Sequence, residues 1–118
     1  MTDMRYVVLH HTDYGDAHFD LMIEPAADSE KLLTWRAAHW PAAAGDTLSR
    51  IADHRRDYLD YEGLVSNNRG RVERVAAGKC EFSLVQSLAT VRILDPSVML
   101  LVLRKLENDL WQVVETEG

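Results

Sequence analysis

Short runs in which polar and apolar residues alternate one for one constrain this chain more than any other feature. The clearest is residues 18–24, His18-Phe19-Asp20-Leu21-Met22-Ile23-Glu24. Successive side chains of a strand point to opposite faces. Phe19, Leu21 and Ile23 therefore form an apolar stripe, and His18, Asp20, Met22 and Glu24 face the other way. Residues 5–11 alternate around Val7, Val8 and Leu9, and residues 32–39 form a third candidate strand. Residues 70–75 and 79–85 flank Ala77-Gly78, which reads as a hairpin turn. Residues 97–104 are apolar and rich in strand formers, and residues 110–115 follow a turn at Asn108-Asp109, which makes a terminal hairpin.

Helical signals are weak. Residues 47–61 space Leu48, Ile51 and Leu59 loosely at helical intervals, and residues 87–94 would fit a short helix. Residues 25–31 and 41–46 read as loops. The expected fold is all-β: a small closed or nearly closed barrel of short antiparallel strands, with one or two short helical turns. Closure also removes the open edges of a small sheet. The 118 residues fit one domain spanning 1–118.

The single cysteine, Cys80, allows no internal disulfide and has no zinc-type spacing around it; it reads as a packed or half-exposed thiol. A reducing, cytoplasmic compartment is the expectation. Residues 1–5 do not open an apolar signal-peptide core, and the longest apolar run, residues 98–103, is too short to span a bilayer. The formal charge of −6 argues against a broad nucleic-acid-coating surface. A local phosphate site is compatible with it, because Arg50, Arg55, Arg56, Arg69, Arg71, Arg74 and Lys79 cluster in the middle of the chain.

His18 and Asp20 share a strand face and lie two residues apart, close enough to bind one ion. Imidazole nitrogen and carboxylate oxygen suit manganese, iron or zinc. His10-His11 ends the preceding strand, and antiparallel pairing across the short connection sets one of them beside His18. Neighbours occupy opposite faces, so only one can join. The stretch Ala52-Asp53-His54-Arg55-Arg56-Asp57-Tyr58 mixes His, Arg and Tyr, as a phosphate-binding and proton-donating patch would. Trp35, Trp40 and Trp111 read as core anchors, and Gly45, Gly63, Gly70 and Gly78 as turn residues. No Gly-rich phosphate loop, Ser-His-Asp set or paired-Cys zinc motif is present.

Taken in order, these segments resemble the 3′-phosphoesterase module of bacterial DNA ligase D. Arg5-Tyr6-Val7-Val8-Leu9-His10-His11 is similar to that family's opening Arg-Phe-Val-Val-Gln-x-His, and residues 18–24 to its His-Tyr-Asp-Phe-Arg-Leu-Glu. Trp35 sits where the family has a Trp before a Lys-Gly-Pro loop. Asp53-His54 through Tyr58 to Tyr61-Glu62-Gly63 resembles its Asp-His-Pro-x-x-Tyr-x-x-Phe-Glu-Gly, and Leu110-Trp111 its closing hairpin.

The resemblance implies a compact β-barrel and a divalent ion, typically manganese with zinc or cobalt as alternatives, held by His11, His18 and Asp20. It implies removal of a 3′-phosphate or a terminal ribonucleotide from DNA or RNA–DNA primer ends, in concert with a ligase or other end-joining proteins. His54 and Tyr58 match catalytic and phosphate-holding positions. Three features depart from the family. Met22 replaces an arginine and cannot pair with phosphate; the lysine after the Trp has no clear counterpart, His39 being nearest; and the His11–His18 connection is one residue longer than usual. Arg50 and Arg55 are the candidates to restore the missing charge. Met22 also keeps open a non-catalytic relative that binds metal or phosphate as an interaction module. The His-x-Asp pattern with a distant His also occurs in the facial triad of non-haem iron oxygenases, but the chain is short for that fold and shows no co-substrate arginine motif.

Overall fold

The computed structural model describes residues 4–95 and 97–118. Residues 1–3 of the amino-terminal segment considered above lie outside the described residues. The strands are β1 (Arg5–Thr12), β2 (His18–Ile23), β3 (Lys31–Ala37), β4 (Thr47–Arg55), β5 (Gly63–Leu64), β6 (Arg71–Val85), β7 (Leu88–Ile93), β8 (Met99–Glu107) and β9 (Leu110–Glu117). They pair antiparallel in the order β1-β2-β3-β4-β9-β8-β7-β6, and β6 returns to β1, closing an eight-stranded barrel. The short β5 lies along the start of β6.

Closure depends on β6, which runs for 15 residues without a break. Its first part pairs with β1 from Arg71 to Lys79, and its second pairs with β7 from Cys80 to Val85. The hairpin expected at Ala77-Gly78 is therefore not there. Gly78 marks a close approach instead: a Cβ at that position would lie 2.7 Å from the Asp95 Cβ and 2.9 Å from its carbonyl oxygen. A glycine inside a strand commonly marks such a contact rather than a turn. A bulge at Val75, between the pairs Val8–Ala76 and Leu9–Arg74, lies within the pairing with β1, and the change of partner follows at Lys79–Cys80.

The helical turn expected within residues 47–61 is present but confined to residues 56–59, and the short helix considered for residues 87–94 is not formed. Residues 47–55 form β4, hydrogen-bonded to β3 and β9, and only Arg56–Leu59 makes a single 3-10 turn. Residues 88–93 form β7 between β6 and β8. In each case pairing along both strand edges outweighs a weak helical spacing. The hairpin expected at Asn108-Asp109 joins β8 to β9.

The sheet buries apolar residues on both faces near its first three strands. Inside the barrel, all eight strands contribute to one core, among them Tyr6, Val8, Leu21, Ile23, Trp35, Leu48, Cys80, Val91, Leu101 and Trp111. Burial pushes the Cys80 thiol up to about 12, so it stays protonated. On the outside, Val7, Leu9, Met22, Leu32 and Val72 form a second cluster capped by Leu59 of the 3-10 turn. Residues 56–70 thus roof the outer face of β1–β3.

Glu24, fully buried at the end of β2, anchors that roof. Its carboxylate accepts from the backbone N–H of Arg5 at 2.8 Å, from that of Asp28 at 3.2 Å, and from the Arg56 guanidinium. At the other end of the turn, Arg5 donates to Asp60 at 2.8 Å, which holds the Asp60 carboxyl below its ordinary range. Removing one member of a buried ion pair leaves the others unsatisfied. Glu24→Ala is expected to lower unfolding free energy by roughly 3 kcal/mol, as read from urea denaturation at neutral pH, and to release the 3-10 turn first in hydrogen exchange.

Candidate metal centre

The register of three strands assembles the centre on the roofed outer face. His11 faces His18 across β1–β2, and Leu9 pairs with Asp20. Across β2–β3, Asp20 faces Arg36. His11, His18 and Asp20 each turn one ligand atom inward, all within 4.8 Å of one another. The inward atoms are His11 Nδ1, 3.1 Å from His18 Nε2, which in turn lies 3.6 Å from Asp20 Oδ2. His10 takes the opposite face and stacks on Phe19, with centroids 4.5 Å apart.

The outward ring nitrogens decide the chemistry. His11 Nε2 lies 2.6 Å from the Arg69 carbonyl oxygen, and His18 Nδ1 lies 2.9 Å from that of Asp16. A carbonyl oxygen only accepts, so each neutral imidazole donates its one N–H there. With both rings neutral the inward nitrogens are lone pairs 3.1 Å apart, a spacing that calls for a proton or a metal ion between them. Backbone carbonyls orienting imidazoles in this way are the usual second layer of a metal site. A metal–ligand length of about 2.0–2.2 Å sets neighbouring donor atoms roughly 3.0–3.5 Å apart. The 3.1 Å and 3.6 Å spacings lie in or next to that range.

Arg69 is held in place by Gly70. Gly70 has φ +81°, and a Cβ there would lie 2.1 Å from the Thr12 carbonyl oxygen. Its role goes beyond that of a turn residue: it lets residues 66–70 approach the end of β1, where the Arg69 carbonyl meets His11.

His11 and Asp20 line a cleft of about 530 Å3 whose wall also includes Met22, Arg36, His54, Arg55, Tyr58 and Arg69, while His18 lines an adjoining depression. His54 reaches it through a bulge. Thr34 pairs with Ile51 and Leu32 with His54, so Ala52 and Asp53 together oppose one residue of β3. That extra residue moves His54 onto the face of Asp20. Thr34 Oγ1 donates to the Leu32 carbonyl and so accepts from His54 Nδ1 at 3.1 Å; the same N–H also lies 3.1 Å from the Ala52 carbonyl oxygen. The other nitrogen, Nε2, is left as the acceptor. Burial holds the imidazole below its ordinary value, against the opposing pull of Asp20. The Tyr58 ring meets His54 edge-on at 5.5 Å.

Two residues expected at the site lie elsewhere. Arg50 spreads its guanidinium over Trp35, 5.0 Å from the ring centroid, and reaches Asp53 at 3.6 Å. His39 is exposed and lines a separate depression with Gly45 and Asp46. The guanidinium nearest the trio belongs to Arg36, which was not singled out from the sequence. It donates to both Asp20 oxygens, Nε at 3.0 Å and Nη2 at 3.3 Å. The available signal was its position next to Trp35, because a residue adjacent to a core anchor on a strand points away from the core.

No protein-family model matches the chain, and no curated protein is similar to it.

Two spectroscopic outcomes follow from the hydrogen bonds. In zinc-loaded protein, nitrogen-15 correlation spectra are expected to show His11 as the Nε2–H tautomer and His18 as the Nδ1–H tautomer; the reverse tautomer at either ring would break the orientation argument. His54 is expected to titrate below about 6.5. As pH falls below that value, the unfolded chain takes up the proton first, so stability declines until the folded midpoint is reached and then levels off. Relative to wild type, His54→Gln flattens that part of the stability curve, measured by urea unfolding between pH 5 and 8.

Proposed function

We propose that this chain is a metal-dependent phosphoesterase acting on nucleic-acid 3′ ends, removing a 3′-phosphate or a 3′-terminal ribonucleotide during DNA end repair. The observation that carries this reading is the cluster of His11, His18 and Asp20, of which His11 and Asp20 line a cleft that also holds His54, Tyr58 and three guanidinium groups. His11, His18 and Asp20 would hold the ion, manganese in this reading with zinc or cobalt as alternatives. When bound, it would polarise the phosphoryl group or activate water.

The remaining residues have separate tasks. Arg36, Arg55 and Arg69 make the cleft locally cationic in a chain of net charge −6, which favours a phosphate there. Arg36 takes the part of the guanidinium that Met22 lacks. Met22 pairs with Thr34 and Asp20 with Arg36, so the charge comes from the next strand. A guanidinium carries five N–H donors; with two directed at Asp20, the others are available to a phosphate oxygen. Nε2 of the half-buried His54 would take a proton from an attacking water or, once protonated, give it up readily to a leaving oxygen. Tyr58, against the His54 ring, offers a hydroxyl to the same phosphate.

A bacterial cytoplasmic setting, with a separate ligase sealing the trimmed end, goes with this function. Among the described residues no helix is long and apolar enough to cross a membrane. The Arg36–Asp20 pairing also favours a second reading, a non-catalytic module that binds metal or phosphate, because it engages both carboxylate oxygens.

The test is release of phosphate from a 3′-phosphorylated primer with manganese. Wild type is expected to release it, His18→Ala to lose both manganese binding and turnover, and His54→Ala to lower kcat by about a hundredfold or more. Arg36→Met should raise KM more than it lowers kcat. Manganese binding by calorimetry with no turnover on a phosphate or ribonucleotide end would instead establish the second reading.

A further inference from the structure

A second cavity, of about 560 Å3, adjoins the cleft. The two share Arg55, Tyr58, Val65 and Ser66 as a common wall. The side away from the metal trio is formed by Tyr61 and Leu64, which expose 38% and 68% of their surface, unusual for an aromatic and a leucine so close together. The pocket is built rather than loose. The Tyr61 hydroxyl donates to the Leu64 carbonyl oxygen, the Tyr58 and Tyr61 rings meet edge-on at 5.9 Å, and the Val65 N–H donates to Gly70 at 2.8 Å. Arg69 adds a bond to Ser66 Oγ at 3.1 Å. The volume falls within the ~300–1,000 Å3 of small-molecule sites.

We propose that the pocket of Tyr58, Tyr61, Leu64 and Val65 is a nucleobase subsite, receiving the base of the 3′-terminal nucleotide whose phosphate lies in the neighbouring cleft. The inference rests on the phosphate reading of that cleft. The phosphate and base of one nucleotide are separated by a single sugar, so a ligand of this class needs a cationic cleft and an apolar pocket with a shared wall. Arg55, lining both, is placed to bridge them. Aromatic and aliphatic surfaces take any base by its flat face, and that kind of contact tolerates sequence differences. The subsite therefore favours a nucleotide end over a bare phosphate without selecting among bases.

The test uses the full chain in EDTA, so that binding is read without turnover. Two single-stranded oligonucleotides bearing a 3′-phosphate are compared by fluorescence polarisation; one ends in thymidine and the other in an abasic residue. Wild type is expected to bind the thymidine end about tenfold more tightly. Tyr61→Ala and Leu64→Ala, both at exposed positions, should erase most of that advantage while circular dichroism confirms their folding. Equal affinity for the two ends in wild type, no binding to either, or variants that weaken both ends alike would overturn the subsite. Phosphate release with manganese is measured in parallel. Base-dependent binding without release keeps the subsite and removes the esterase, whereas release without base dependence does the opposite.

Discussion

Pairing of β1 along both of its edges is the constraint on which the other features rest. β2 holds one edge and the first half of β6 the other, so β1 can neither slide nor rotate without breaking two ladders. A slip of one residue would send every side chain of the strand to the opposite face. His11 would then exchange places with His10 and enter the apolar interior. Because β6 continues into its pairing with β7, the same strand that fixes β1 also closes the barrel, and the position of His11 becomes a property of the whole ring.

The site lies on the outer face of that ring, where a small barrel normally meets water. Its partial enclosure comes from residues 56–70, which are tied to the barrel mainly by charged groups. Glu24 and Arg56 hold one end of the 3-10 turn, Arg5 and Asp60 the other, and Leu59 fills the apolar gap between them. The same segment supplies the Arg69 carbonyl, the Tyr58 ring and the wall of the second pocket. The scaffold and the chemistry thus share one small structural unit. Loosening the Glu24 anchor therefore bears on the His11–His18–Asp20 trio through the Arg69 carbonyl as well as through β2 itself.

Much of this was legible in the residues. The alternation of residues 18–24 correctly assigns Phe19, Leu21 and Ile23 to the core and His18 and Asp20 to the other face, and the spacing of the flanking segments points to a barrel. Other features misled. Gly78 followed Ala77 in a stretch flanked by strands and looked like a turn, yet glycine there answers a backbone contact with Asp95, which is far away in sequence. Loose helical spacing in residues 47–61 carried no weight against two flanking strands. Arg50 is a candidate charge near His54 by sequence, but its guanidinium lies over Trp35. Arg36 went unnoticed because nothing local identifies which cation will oppose Asp20.

These differences share one cause. Which side chains of a single strand share a face follows from covalent geometry, so His18 and Asp20 were paired by the sequence alone, and the all-β class follows from repeating that pattern. Which residues of different strands meet depends on register, and register is set by cross-strand hydrogen bonds and bulges that involve distant partners. Local geometry left His10 and His11 open and only the resemblance pointed to His11; the register of the folded chain set His11 beside His18, placed Arg36 against Asp20, and used one extra residue in β4 to bring His54 round to them.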